Sequence, residues 1–469
     1  MNLFLTRGAA VMLALLAVGW MPCATAAEPE MAPAEAGQAF DPQPLVSRAE
    51  RAGLRVFQSR HLVLITDRPP RQGDGLAELP AIFDEAFVVW CAHYGLDPAS
   101  LSQWRACGCL VVDRETFRGA GLLPATVPEF ANGYCDHHRF WLADQSNPAY
   151  RRHLLLHEGV HAFTATLRNL NTPTWYTEGM AEWLATHRLE PTVPRFRHTP
   201  LPASPEDVEQ LGRIEMILRL RSAGEGPSLE DVFSLRPTLH GTISSYAAAW
   251  AGVSFLAGHP RYAEAFAAIE RGPLDAALTQ RLRQQPGWNP AEASRDFDAF
   301  TDTLDYGYDL SRMVIDWAPG QPLPAAGAVT QVQAERGWQH TGWQVQAGRA
   351  YRLQASDRVR VGRLLQAGGT LDLESTADGI SIDWYRGRPI GRLLAAQWDD
   401  HPRNGGRSRF TVLGEGEAIT ITAAATGPLY LKINNPPANL LDAGGSLAVQ
   451  IMSVSSSSAP EAPESAPRR

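Results

Sequence analysis

The sequence has little that would suit it to nucleic acid or to a membrane interior. Its formal net charge is −8, from 42 basic and 50 acidic side chains, so there is no basic field to attract a phosphate backbone. Past the N-terminus no apolar run is long enough to cross a bilayer, which excludes a membrane span in the mature chain. Cysteine is scarce, with five residues in all, which rules out a disulfide-built scaffold. What remains is an ordinary globular composition, 44% hydrophobic and 20% charged, over a length of 469 residues that suggests two or three domains.

Residues 1–26 read as a secretory signal: Arg7, an apolar run from Ala9 to Trp20, and Ala24-Thr25-Ala26 as a small-residue cleavage site. The expected location is therefore periplasmic or extracellular. A lipoprotein signal ending at Cys23 is the competing reading, and Met21-Pro22 are not the small residues such processing favours. Cys91, Cys107, Cys109 and Cys135 remain after cleavage, an even number that in an exported protein suggests up to two disulfides. Metal binding by Cys107-Gly108-Cys109 is the alternative, with one intervening residue and no second close pair.

The most informative stretch is His157-Glu158-Gly159-Val160-His161. Two histidines four apart on a helix project from one face, about one turn or roughly 6 Å apart, and can grip one zinc ion. Glu158 between them is placed to take a proton from a water that the metal activates. Seventeen residues after His161 comes Glu178, a suitable third ligand, and Glu182 follows four residues later. A helix over 177–188 would turn both acids toward the metal helix, with Glu182 on the outer nitrogen of a ligating histidine. Pro173 fits the start of that helix. The structural alternative is a solvated helix that happens to carry His and Glu.

HEGVH followed by Trp175-Tyr176-Thr177-Glu178-Gly179-Met180-Ala181-Glu182-Trp183 resembles the gluzincin zinc metallopeptidases, specifically bacterial proteins with a peptidase-MA-like domain. The resemblance is specific across 150–185 and otherwise rests on element order. It implies His157, His161 and Glu178 as ligands of one Zn2+, Glu158 as general base and Glu182 as their support. It also implies an α+β zincin-like catalytic domain, a mixed sheet and metal helix followed by a helical half. A substrate-binding edge strand would fall around 138–143, and Tyr246, in Ser245-Tyr246-Ala247-Ala248-Ala249-Trp250, would steady the oxyanion. The plainer reading of Tyr246 is a core residue of an amphipathic helix. His153 reads as a surface or support residue; His137, His138 and His240 carry no pattern of their own. The GAMEN-like amine anchor of aminopeptidases is absent.

Along the chain, 27–45 reads as a flexible lead-in and 46–316 as the catalytic domain. Strands are expected at 61–66, 109–113 and 139–143, and helices at 76–94, 151–167, 205–222, 243–257, 260–271 and 290–304. Residues 317–330, rich in Pro, Gly and Ala, read as a linker. From 331 to 453 the period changes to two, in 342–346, 351–355, 418–422, 429–433 and 447–451, as in an antiparallel β-sandwich. The tail, 454–469, has the composition of disorder.

Trp338-Gln339-His340-Thr341-Gly342 and Gly427 to Asn435, with Asp442-Ala443-Gly444-Gly445-Ser446-Leu447, resemble the PA-I-type galactose-binding lectins, in which calcium holds the sugar. Asn435 stands where an aspartate belongs and Ala443 where an asparagine belongs, leaving Asn435, Asn439 and Asp442 as a depleted set. That favours a structural or surface-adhesion module over retained Ca2+-dependent carbohydrate binding.

The leading functional expectation is an exported zinc peptidase acting on peptides or proteins. The alternative is a non-catalytic envelope carbohydrate-binding or scaffold protein. Hydrolysis of a non-peptide amide would use the same chemistry.

Overall fold

The computed structural model describes residues 40–454, except 72, 169–170, 191–194, 210, 237–241, 367–368 and 401–405. The expected signal, Cys23, most of the lead-in, His240 and all but the first residue of the tail lie outside the described residues. Helix α1 (Gln43–Arg51) begins inside the expected lead-in and buries Leu45. Strands β1 (Arg55–Gln58) and β2 (Leu62–Thr66) follow, then helix α2 (Leu79–His93), strand β3 (Ala106–Val111) and helix α3 (Arg114–Gly119). Strands β4 (Gly133–Asp136) and β5 (Arg139–Ala143) lead into α4 (Pro148–Leu167) and α5 (Thr174–Ala185).

The five strands form one sheet in the order β1-β2-β3-β5-β4, with β2, β3 and β5 parallel and the outer two antiparallel. Every residue of β2 and β3 is buried, as parallel interior strands require when both faces are covered. On one face Leu62, Leu64, Ala106, Leu110, Phe140 and Leu142 pack with α2 and α4. On the other, Val63, Ile65, Cys107, Cys109 and Trp141 pack with α1 and α3.

Two expectations are overturned here. The sheet edge is β4, not 138–143, because β5 is hydrogen-bonded on both sides, to β3 and β4. The four cysteines are free thiols. Cys107 and Cys109 lie side by side on one face of an extended strand, about 6.6 Å apart along the backbone and near the upper limit for a bridge. Cys91 is in the core on the opposite side of the sheet, and Cys135 packs against that same core.

Helix α4 is started by Asn147, whose side chain accepts from the amides of Ala149 and Tyr150, with Pro148 in its first turn. Helix α5 runs over 174–185 rather than 177–188. Thr186 is extended, and the chain continues into the short strands β6 (His187–Leu189) and β7 (Phe196–His198). Helices α6 (Arg213–Ser222), α7 (Leu229–Phe233), α8 (Ile243–Gly258), α9 (Ala263–Glu270), α10 (Leu278–Arg283) and α11 (Pro290–Thr303) complete this half. Expected helix 205–222 is interrupted by Gly212 in left-handed conformation (φ 79°), and α7 and α10 are too short to show a period.

Helix α8 is apolar nearly all round and is accordingly buried from Ala247 to Leu256. Helix α5 lies against it at Gly179, where a β-carbon would sit 2.6 Å from the Ala249 carbonyl oxygen and the Val253 side chain. The backbone oxygen cannot move aside. Gly179→Ala should therefore cost about 1–3 kcal/mol despite the better helix propensity of alanine. A lowered thermal midpoint in calorimetry checks this.

The C-terminal part comprises β8 (Gln321–Pro322), β9 (Ala328–Gln333), β10 (Gln339–Val345), β11 (Ala350–Ser356), β12 (Val359–Gln366) and β13 (Gly369–Ser375). It continues with β14 (Asp378–Tyr385), β15 (Arg388–Asp399), β16 (Arg409–Glu415), β17 (Ala418–Thr422), β18 (Gly427–Ile433) and β19 (Ser446–Ser453). One sheet runs β14-β15-β18-β10-β8 with β16 on β15, the other β17-β11-β19-β9. Their inner faces share a core that includes Leu353, Leu393, Leu431 and Val449, giving a sandwich-like module. Residues 317–330, expected as linker, contain β8 and the start of β9. Trp317 within them donates to Asp296 of α11 at 2.7 Å.

Candidate metal centre

Helix α4 turns His157 and His161 to one side, and α5 crosses it so that Glu178 and Glu182, one turn apart, face them. His157 Nε2 lies 3.3 Å from Glu178 Oε2, His161 Nε2 lies 3.5 Å from the same oxygen, and the two ring nitrogens are 3.1 Å apart. Metal bonds of about 2.0–2.1 Å at tetrahedral angles place ligand atoms roughly 3.3–3.4 Å from each other. The three atoms therefore form one face of a tetrahedron of the right size. Glu178 Oε2 is buried without a hydrogen-bond partner, a cost that a cation in that position removes. These residues could hold a metal ion.

Two imidazoles and a carboxylate so close interact strongly in the metal-free site. Burial disfavours a proton on His157, but Glu178 and Glu182 outweigh it and push its pKa up to about 10. Burial also disfavours the charge on Glu178, yet His161 and His157 hold its carboxyl well below the ordinary range.

Glu182 is on the outer side of His157, 3.3 Å from Nδ1, an ion-pair contact rather than an aligned hydrogen bond. Its other contacts are stronger: Arg213 at the start of α6 donates from Nε at 2.8 Å and Nη2 at 2.9 Å, and His153 Nε2 lies at 3.1 Å. Burial would raise the Glu182 pKa, but Arg213 and His153 drive it well below the ordinary carboxylate range and favour its charged form. His153 is thus a buried support, not a surface residue. The group His153, His157 and Glu182 also has metal-binding spacing. The guanidinium of Arg213 already occupies both oxygens of Glu182 and disfavours a second cation there.

Glu158 is buried beside the cluster, and burial raises its pKa although His161 and His157 pull it down. The chain passes close to it only because residue 133, on edge strand β4, is glycine: a β-carbon there would collide with the Glu158 carboxylate. A cavity of about 60 Å³ opens onto Glu158, bounded by Gly133, Tyr150, His157, Arg213 and Tyr246, with room for a few waters. The Tyr246 ring meets that of His157 edge to face at 5.8 Å. Burial, then the charges of Glu178 and Glu158, raise its pKa, so the hydroxyl stays protonated and able to donate.

Sequence reading did not find Arg213, Tyr150 or Gly133. Arg213 and Gly133 come from segments far from HEGVH with no spacing relation to it, whereas Tyr150 sits two turns before His157 on α4, a helical spacing that could have found it. His137 pairs with neighbouring Asp136 on the surface, and His138 contacts the Arg105 carbonyl at 2.7 Å; neither joins the cluster. Cys107 and Cys109 belong to neither metal-capable group among the described residues.

In the C-terminal module the donor set does not fit calcium, which takes six to eight oxygens. Asn435 is buried; its Nδ2 donates to the Val361 carbonyl at 2.8 Å and only its Oδ1 is left without a partner among the described residues, one oxygen where several are needed. Arg360 donates to the Asp442 carbonyl at 2.8 Å, and Arg363 lies 3.9 Å from the Asp442 carboxylate. In the set Asn435, Asn439 and Asp442, the one carboxylate thus has the Arg363 guanidinium beside it, and the Asp442 carbonyl is taken by Arg360.

No family model and no curated protein matches this chain. Among solved structures it is similar to one described as "EclA N-terminal domain; PllA-like lectin", at 19% identity over 27% of this chain and 95% of that one, with a TM-score of 0.18. A likeness of that size supports no assignment of fold or function, and the chain's chemistry rests on its own residues.

Proposed function

We propose that the chain is an exported zinc-dependent peptidase with His157, His161 and Glu178 as metal ligands. The observation that carries this is the convergence of three ligand atoms 3.1–3.5 Å apart, with Glu158 buried beside them on an open cavity. Zinc held there would supply Lewis-acid chemistry, polarising a water and the scissile carbonyl. Glu158 accepts the proton of the attacking water and passes it to the leaving amine. Its raised pKa, set by burial, brings it closer to neutrality and makes it the stronger base. Tyr246 donates a hydrogen bond to the oxygen on which negative charge develops. Arg213 and Glu182 keep His157 in one orientation. Among the described residues edge strand β4 pairs only with β5, which leaves its other edge beside Glu158 for an extended peptide to lie along.

Digestion of a proteome-derived peptide library by the zinc-loaded full chain tests the proposal. Cleavage that is lost with chelator and restored by zinc supports it; no cleavage by folded, zinc-loaded protein overturns it. Tyr246→Phe should lower kcat by about 10²–10³-fold with little change in KM, as for loss of an oxyanion donor. Steady-state kinetics on one library-derived peptide checks this.

Metal binding should also release protons. With its pKa raised to about 10 by Glu178 and Glu182 against the effect of burial, His157 should carry a proton near neutral pH that it must lose to bind zinc. Affinity should therefore rise with pH up to that value. Calorimetry in buffers of different ionisation enthalpy should register about one proton released per zinc.

A further inference from the structure

Next to the cavity at Glu158 lies a larger one of about 320 Å³. Its walls are the 145–147 loop, the first turns of α4, His187 of β6, and Val208, Glu209 and Leu211. Tyr150 and His153 line both cavities, so the two share a wall within the first turns of the metal helix.

The charge inside the larger cavity is Arg152, only 9% exposed. Its Nε donates to His187 Nε2 at 2.8 Å, while His187 Nδ1 lies 2.7 Å from the Ala185 carbonyl oxygen. A carbonyl only accepts, so Nδ1 carries the proton and Nε2 is the acceptor for Arg152. A neutral ring therefore fixes the guanidinium without cancelling its charge. Nη2 pairs with Glu209 on the rim, and Nη1 has no partner among the described residues. Glu209 is the competing charge, but the pair is asymmetric: its side chain is 45% exposed against 10% for Arg152. Water screens the acid far more than the buried base, so the interior of the cavity favours anions.

We propose that this cavity is a substrate subsite of the cleft and takes a carboxylate, from an acidic side chain or a chain terminus, with Arg152 as the specificity-determining residue. The inference rests on the hydrolytic reading of the neighbouring metal centre. A carboxylate entering the cavity reaches the free Nη1 edge and displaces Glu209 toward solvent. A substrate amide of the same shape offers one oxygen and no negative charge, so it lacks both the ion pairing and the two-oxygen contact that a carboxylate makes with the guanidinium.

The test uses the full chain and blocked pentapeptides differing only in Glu, Gln or Lys at one position, with a second arm of Gln peptides bearing a free C-terminus. Wild type should cleave one carboxylate arm at least about tenfold better than the blocked Gln peptide in kcat/KM, the scale of a charge-assisted bond. The arm that is preferred identifies the source of the carboxylate. Arg152→Gln should bring that ratio toward one. Because Arg152 is buried, Glu209→Gln on the rim provides a second test and should raise the ratio. A wild-type ratio near one, or an unchanged ratio in Glu209→Gln, overturns the subsite.

Calorimetric binding of the same peptides to Glu158→Gln protein separates the two readings. Tighter carboxylate binding with no turnover in wild type would sink the hydrolytic reading and leave the subsite standing. Turnover without charge preference would do the reverse.

Discussion

Replacing Glu158 by Gln should abolish measurable turnover while leaving zinc bound, with kcat lower by about 10²–10⁴-fold. Glutamine keeps the shape and the hydrogen-bonding reach of glutamate but cannot accept the water's proton. The Glu158 carboxylate lies against Gly133, where an isosteric amide fits as well. Elemental analysis should therefore give the same zinc content for variant and wild type, and kinetics should separate them. Loss of zinc together with activity would mean that Glu158 is part of the metal site and not the base.

Glu178→Ala should show the opposite pattern, losing the metal first and activity as a consequence. The substitution removes one of the three proposed ligand atoms and leaves His157 and His161 facing each other at 3.1 Å with no carboxylate oxygen in direct reach of the ion. Loss of an outer partner costs about 10–100-fold in metal affinity, so loss of a direct ligand should exceed about 100-fold. Competition titration against a chelating dye measures this. Activity should return at high zinc if the histidines alone still position the ion. An unchanged affinity would remove Glu178 from the ligand set.

The candidate metal centre was legible in the sequence because its residues obey local geometry. His157 with His161, and Glu178 with Glu182, are each four residues apart on a helix, and that spacing alone puts both members on one face. The partners that hold and cover it were not legible. Arg213 grips Glu182 from 31 residues away, and Gly133 shapes the Glu158 pocket from a strand that pairs with β5. Such contacts depend on tertiary packing and leave no period.

The same contrast runs through the C-terminal sheets. Strands β11, β17 and β19 alternate buried and open positions and were visible at period two. Strand β15 is buried almost throughout and β14 is largely open, so neither alternates and both were missed. The cysteines misled for a related reason. An even count suggests bridges, but the sheet separates Cys91 from Cys107 and Cys109.

The most direct measurement is the zinc content of the full chain, purified without chelator and verified as folded by circular dichroism. The account predicts about one zinc per chain, reduced to near zero when His157 and His161 are both replaced by alanine. A folded wild-type chain that carries no zinc and takes up none at micromolar concentration would contradict it.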